Sequence, residues 1–372
     1  MALLLFLLAW CSAFAGTLTV DMLDVGQGDS ILVRSPAGKT VLIDAGEGKA
    51  RVSDQLRALG VNELNLVVAT HPHADHVGGM NDVLLAIPTK MYVDNGLSHT
   101  TATYNTLMRT VELRGIPYKT ATVGQVFNLD DGIKLEVLAP PTTALRGTRS
   151  DLNANSVVLR LTHGKDCMLL TGDSEAPSED QLVHDGLKPC EVLKVAHHGS
   201  EYSTTDAFLA ALQPKIALIS VGSDNRYGHP GPTTMARLAA AGVTIYRTDL
   251  VGGIRLSSDG KGWKVQTGVS AAPASAPSTA PSTAPSPVVS TGASSTGASS
   301  TGPANSAPTA DGGSAEAAPD PSCPFVASRN STLFHASTCD TSRRISPATR
   351  VCYATREDAA AAGRTPARDC TP

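Results

Sequence analysis

The short apolar run Leu64 to Ala69 ends on Thr70-His71-Pro72-His73-Ala74-Asp75-His76-Val77-Gly78-Gly79, and no other feature constrains the folding of the chain as much. The run reads as a buried strand and the stretch Val77 to Ala86 as an amphipathic helix, so the polar cluster occupies a strand-to-helix turn at a sheet edge. Three imidazoles and a carboxylate emerging there can converge on one point. These are the donors that borderline ions such as zinc prefer, which makes His71, His73, Asp75 and His76 candidate metal ligands. The His-x-His spacing also occurs in solvated histidine tracts, but the flanking strand and the Gly-Gly pair argue against one.

Around this cluster the chain alternates β-branched runs with amphipathic stretches, the pattern of a mixed α/β domain. Strands are expected at Leu18 to Leu23, Ser30 to Arg34, Thr40 to Ile43, Leu64 to Ala69, Ser156 to Leu161, Cys167 to Leu170, Val192 to Val195 and Ile216 to Val221. Helices are expected near Arg51 to Leu59, Val77 to Ala86, Thr101 to Arg114, Thr204 to Leu212 and Thr233 to Ala241. A weak internal repeat links two halves: Ser30 to Arg34, Gly38-Lys39 and Gly46 align without gaps to Ser156 to Arg160, Gly164-Lys165 and Gly172. The same offset places His71 over His197, so each half would deliver a histidine from a strand end to a shared site.

From Val269 to about Ser322 the sequence falls to Ala, Pro, Ser, Thr and Gly. Such a segment carries too little apolar side chain to offset its ordering entropy and is expected to be a disordered linker, residues 269 to 322. It separates a large domain, residues 17 to 268, from a small one, residues 323 to 372. At the other end, the apolar segment within Met1 to Ala15 closes on Ala13-Phe14-Ala15 and reads as a signal peptide cleaved before Gly16, although no Lys or Arg precedes it. A misassigned start and an uncleaved anchor are the alternatives. Of seven cysteines, six remain once Cys11 is removed, an even count that suits an oxidising compartment. The expected location is therefore secreted or extracytoplasmic, with no membrane span after cleavage. A net charge of -4 carries no electrostatic footprint of a nucleic-acid binder, so a nuclease reading has to rest on the site itself.

The His71 to His76 cluster resembles the motif of the metallo-β-lactamase superfamily, and the resemblance extends over nearly all of residues 17 to 268. It implies a four-layer αββα sandwich. It also implies roles for three further segments. Leu42-Ile43-Asp44-Ala45-Gly46 is similar to the motif whose aspartate supports the ligand loop. Leu169-Leu170-Thr171-Gly172-Asp173 is similar to the one whose aspartate bridges two metals. Lys194-Val195-Ala196-His197-His198-Gly199-Ser200 is similar to the one that supplies a terminal histidine ligand, and the repeat offset selects His197 over His198. The chain departs from the family at one place: the separate mid-domain histidine is absent, and Asn153-Ala154-Asn155-Ser156 stands there. One ion would then have only His71, His73 and Asp173, a weak or water-rich site or one suited to manganese. His163, His99 and His184 are expected at the surface.

Together with Leu23-Asp24-Val25-Gly26-Gln27-Gly28-Asp29-Ser30 and Tyr227-Gly228-His229-Pro230, this departure resembles the hydrolase domain of ComEC-type competence proteins, regarded as a nuclease acting on DNA during uptake. The resemblance implies two divalent ions, zinc or manganese, and DNA as substrate. His229 would protonate a leaving oxygen. Asp24, Gln27, Asp29, Asn155, His198 and Ser200 are candidate substrate-contacting or supporting residues. Gly26-Gln27-Gly28-Asp29 can be read as a phosphate cradle or as a tight turn. In the small domain Phe334-His335-Ala336-Ser337-Thr338-Cys339 resembles an Ada-like metal module, but Ala367 stands where one of its cysteines belongs. Disulfides are therefore favoured over zinc for Cys323, Cys339, Cys352 and Cys370, with His335 as a further metal donor if zinc binds.

The leading expectation is an exported metal-dependent phosphodiesterase or nuclease that activates water between two cations held about 3.5 to 4 Å apart. The rivals are a hydrolase of β-lactams or acyl esters and a DNA-binding or wall-tethered accessory protein without catalysis.

Overall fold

The computed structural model describes residues 16–269 and, towards the C-terminus, residues 324–328, 333–337, 342, 345, 350–362 and 364–367. The expected signal peptide and linker lie outside the described residues.

The described residues of the large unit form fifteen strands. In chain order these are β1 (Leu18–Met22), β2 (Ile31–Arg34), β3 (Thr40–Ile43), β4 (Leu66–Val68), β5 (Tyr92–Asp94), β6 (Tyr118–Thr120), β7 (Val126–Asp130), β8 (Ile133–Ala139), β9 (Val158–His163), β10 (Asp166–Leu170), β11 (Val192–Lys194), β12 (Ile216–Ile219), β13 (Thr244–Arg247), β14 (Gly253–Ser258) and β15 (Trp263–Val269). They form an eight-stranded sheet in the order β15-β14-β1-β2-β3-β4-β5-β6 and a seven-stranded sheet in the order β13-β12-β11-β10-β9-β8-β7. In the first, β14 to β3 pair antiparallel and β3 to β6 parallel. In the second, β7 to β10 pair antiparallel and β10 to β13 parallel. The halves thus share one connectivity, which the 126-residue repeat reports at the level of sequence.

Period-two alternation builds the layers. Val41 and Ile43 point into one core with Leu159, Leu161, Met168 and Leu170 of the opposite sheet. Leu42 and Val67 point the other way, onto Leu56 of α1 (Val52–Ala58), Val83 and Leu84 of α3 (Met80–Ala86) and Leu107 of α4 (Ala102–Leu113). On the far side Val158, Leu169 and Leu193 meet Leu182 of α6 (Ala176–His184), Phe208 of α7 (Asp206–Leu212) and Leu238 of α8 (Pro232–Ala240). This is the expected αββα sandwich. The expected helix Val77 to Ala86 is two, α2 (Ala74–Val77) and α3, so Asp75 and His76 lie in the first turn of α2.

Strands β5 to β8 and β13 to β15 were not among those expected. For some the sequence explains this: β5 and β6 are three residues long, β6 is wholly exposed, and β7 and β15 are edge strands with polar and exposed positions, whereas β8 and β14 alternate clearly and their signal was overlooked. Cys167 and Cys190 form a disulfide across 23 residues of sequence. Replacing both with alanine is expected to lower stability by about 3 kcal/mol through the unfolded chain, read as a fall in the urea midpoint.

The C-terminal unit carries a four-stranded sheet of β16 (Phe325–Ser328), β17 (Leu333–Ala336), β18 (Arg350–Tyr353) and β19 (Thr365–Pro366), with a helix α10 (Arg356–Ala361) started by a Thr355–Asp358 capping box. Ala327, Phe334 and Ala359 form its small core. His335 lies on β17, and Cys352 on β18 is disulfide-bonded. Cys323, Cys339 and Cys370 lie outside the described residues.

No helix among the described residues is long and apolar enough to cross a membrane.

Candidate metal centre

The polar cluster forms where the parallel strands of both sheets end. Strand β3 delivers Asp44, β4 delivers His71 to His76, β10 delivers Asp173, and β11 delivers His197 and His198. Close approach of the two halves depends on Gly172, which has φ +51 and would press a Cβ to 2.8 Å from the Thr70 side chain. Asp44, His197 and His198 all adopt left-handed backbone, φ 58, 50 and 55, conformations that cost on the order of 1–3 kcal/mol each and gather at functional sites.

Asp173 is the centre of the arrangement. Its Oδ1 lies 3.3 Å from His76 Nε2 and 3.5 Å from His198 Nε2, while its Oδ2 lies 3.8 Å from His71 Nε2 and 3.7 Å from His197 Nε2. Asp75 Oδ2 sits 3.4 Å from His198 Nε2 and 3.8 Å from His76 Nε2. On the other flank, His71 Nε2 and His73 Nδ1 are 3.0 Å apart. The ligand atoms of Asp75, His76, Asp173 and His198 all fall within 4.8 Å of one another, a spacing that suits one cation.

Hydrogen bonds fix which ring nitrogens face inward. His76 Nδ1 pairs with Asp44 Oδ2 at 2.8 Å, His198 Nδ1 with the Ser220 carbonyl at 2.9 Å, and His71 Nδ1 with Thr70 Oγ1 at 3.1 Å. Each Nε2 thereby faces the centre, where its lone pair would be available once deprotonated, the arrangement of metal-binding histidines with an outer acceptor. Asp44 also accepts from Thr70 N and Thr70 Oγ1, both at 2.7 Å, so it braces the ligand loop as expected.

The donors fit a cation. Asp173 Oδ1, His76 Nε2 and His198 Nε2 are buried with no hydrogen-bond partner among the described residues, a costly state unless something positive sits among them. Burial opposes a proton on His76, yet Asp173, Asp44 and Asp75 outweigh it and hold the ring well above its ordinary value. His198 is raised in the same way, by Asp173 and Asp29 against burial. Burial pushes His71 and His73 down. It would raise Asp75 and Asp173, but the neighbouring imidazoles outweigh it and keep both carboxylates well below the usual range. A proton on His76 or His198 would thus serve the carboxylates as a cation would.

The sign of the pH dependence follows. A cation at His76 must expel a proton wherever the pH lies below that raised value. Zn²⁺ or Mn²⁺ affinity is therefore expected to fall about tenfold per pH unit for each proton displaced as the pH drops. Calorimetry in buffers of different ionisation enthalpy measures the proton count; zero protons released at pH 7 would contradict it.

The structure corrects several expectations. His198 groups with Asp75, His76 and Asp173, while His197, which the repeat selected, meets the other oxygen of Asp173, because the two successive left-handed residues turn the chain after the strand end. His229 lies beside His197 and His198, ring centroids 5.3 and 6.4 Å away, but burial above all, with those two imidazoles, lowers its pKa to about 4. That lowering weighs against the expected general-acid role and favours a neutral hydrogen bond. The Gly26–Asp29 loop is a turn, not a phosphate cradle: a Cβ on Gly28, φ +124, would sit 2.1 Å from the Asp75 carbonyl, and Asp29 N donates to that same oxygen. Asp24 is exposed and accepts from Gly26 N, and Gln27 accepts from Gly222 N. Asn155 ties down the 145–151 loop through Leu145 and Asp151, and the Ser200 carbonyl accepts from Ser203 and Thr234. None of these four hydrogen-bonds to Asp75, His76, Asp173 or His198 among the described residues. His99, expected at the surface, lies 6.1 Å from His73. His163 pairs with Ser258, and His184 is exposed.

Three residues of the centre were missed. Lys194 is fully buried, ion-paired with Asp29 and hydrogen-bonded to the Gly172 carbonyl at 3.1 Å. A lysine inside the apolar run Val192 to Ala196 was the available signal, since buried charge demands a partner. Glu175, two residues after Asp173, meets His197 Nδ1 at 3.3 Å and pairs with Arg149. Asn153, not Asn155, approaches the His197 ring.

A family model described as the metallo-beta-lactamase superfamily matches residues 23–223. ComE operon protein 3 of Bacillus subtilis is 32% identical over 260 residues, covering 63% of this chain and 32% of that protein. Competence protein ComA of Neisseria gonorrhoeae is 30% identical over 252 residues, covering 66% and 33%. Ribonuclease Z of Aeropyrum pernix is 43% identical over 60 residues, covering 16% and 18%. The chain spans about a third of the length of the two competence-type relatives. With its αββα sandwich and converging histidine and aspartate motifs, the chain belongs to the metallo-β-lactamase superfamily of hydrolases.

Proposed function

We propose that the large domain is a two-metal phosphodiesterase that cleaves DNA outside the cytoplasm. One observation carries this reading: the two oxygens of Asp173 each face a pair of imidazole nitrogens, as a carboxylate bridging two cations requires. Two divalent ions, zinc or manganese, would supply Lewis acidity toward a phosphate oxygen and would ease deprotonation of the attacking water. The donors would divide into Asp75, His76, His198 and Asp173 on one side and His71, His73 and Asp173 on the other. Asp75, at the edge of the buried set, would orient the water, and Asp44 would hold His76 in its ligating tautomer. His229, with a buried and unpartnered Nδ1, would hydrogen-bond an oxygen of the phosphate or leaving group.

The choice of DNA draws support from the similarity to a protein named for competence, and that of a phosphodiester bond from the similarity to a ribonuclease. The Cys167–Cys190 disulfide supports an oxidising compartment, in line with the expected signal peptide. Purified protein incubated with single- and double-stranded DNA and Mn²⁺ or Zn²⁺ is expected to cleave, with EDTA and His71→Ala each abolishing the cleavage. Absence of metal-dependent cleavage, or turnover of a chromogenic β-lactam instead, would replace this reading with the small-molecule one.

A further inference from the structure

We infer that His197 supplies the imidazole that the absent mid-domain histidine leaves out, so that the ion beside His71 and His73 has a third nitrogen donor. The inference rests on the two-cation reading and adds a ligand to the poorer of its two sites.

Four observations support this assignment. Its Nε2 approaches Asp173 Oδ2, the oxygen that faces His71, and not Oδ1, which serves His76 and His198. Its Nδ1 meets Glu175 Oε1 at 3.3 Å, which fixes the hydrogen on that nitrogen and leaves the Nε2 lone pair free. Glu175 is itself held by Arg149, whose guanidinium packs 4.1 Å from the Tyr202 ring, so the acceptor does not wander. Finally, Asn153 Nδ2 lies 3.4 Å from both ring nitrogens of His197. A donor equidistant from the two can lie only over the ring face, so it occupies neither lone pair. Asn153 belongs to the segment where other family members carry their histidine, and here it backs the ring that takes over. The consecutive left-handed turn at residues 197 and 198 is what lets two neighbouring histidines serve opposite sides of one carboxylate.

The test is Mn²⁺ titration of the whole protein, followed by electron paramagnetic resonance and by the loss of free ion. The wild type is expected to bind two ions with an exchange-coupled signal. His197→Asn, chosen because asparagine tolerates left-handed backbone, is expected to bind one ion tightly, to weaken the other by more than about 100-fold and to show an uncoupled signal. Glu175→Gln keeps the shape of the side chain and is expected to weaken the same ion by about 10- to 100-fold. Circular dichroism checks folding, and if His197→Asn does not fold, Glu175→Gln decides. A coupled pair with wild-type affinities in a folded variant overturns the inference. A wild type that takes up fewer than two ions overturns the two-cation reading instead, which keeps the two failures distinct.

Discussion

Replacing Asp173 with alanine is expected to remove both cations and to reduce metal-dependent hydrolysis by about 1000-fold or more. The reason is position: each of its oxygens faces two imidazoles, so neither donor set is complete without it. The loss of an outer acceptor typically weakens a metal site about 10- to 100-fold, and the loss of a shared ligand must exceed that. The substitution also removes the carboxylate that does most to hold His76 above its ordinary value, so that proton should leave near a lower pH. Elemental analysis of dialysed protein reads the first effect and a chemical-shift titration of His76 the second. Retention of two ions per chain would place the bridging role elsewhere.

Lys194→Met is expected to cost about 3–5 kcal/mol of stability, because it removes the nearest counter-charge of the buried Asp29 carboxylate. Both side chains are almost fully buried, and Lys194 also bonds the Gly172 carbonyl next to Asp173. Methionine keeps the length of the stem, so little of the loss comes from a cavity. The double variant Asp29→Asn, Lys194→Met should recover a large part of the loss, giving a coupling of about 2 kcal/mol or more in a double-mutant cycle. Urea unfolding of the four proteins measures it; additive losses would mean that the two groups act independently. The pair joins the loop after β1 to the strand that delivers His198, so the single variant should also weaken metal binding on that side.

The sequence made the αββα architecture legible through its apolar alternation and through a motif whose polar residues converge in the fold. His71, His73, Asp75, His76, Asp44 and Asp173 all reach the cluster from local signals: a strand, a turn and a charged side chain at its end. The repeat was also legible, and it pointed to matched connectivity in the two sheets. Edge strands such as β6 and β15 were not, since exposure removes the alternation by which a strand announces itself.

What the sequence by itself determined, then, is the set of donors and the elements that carry them, because hydrophobic periodicity and residue type act over a few neighbours. Tertiary structure decided which donor meets which. His197 and His198 are chemically identical and adjacent, and only two left-handed backbone turns set them on opposite sides of Asp173. The same holds for Lys194 and Asp29, for Glu175 behind His197, and for the burial that lowers the His229 pKa. Desolvation and long-range charge depend on what the fold brings close, and no local reading of the chain contains that distance.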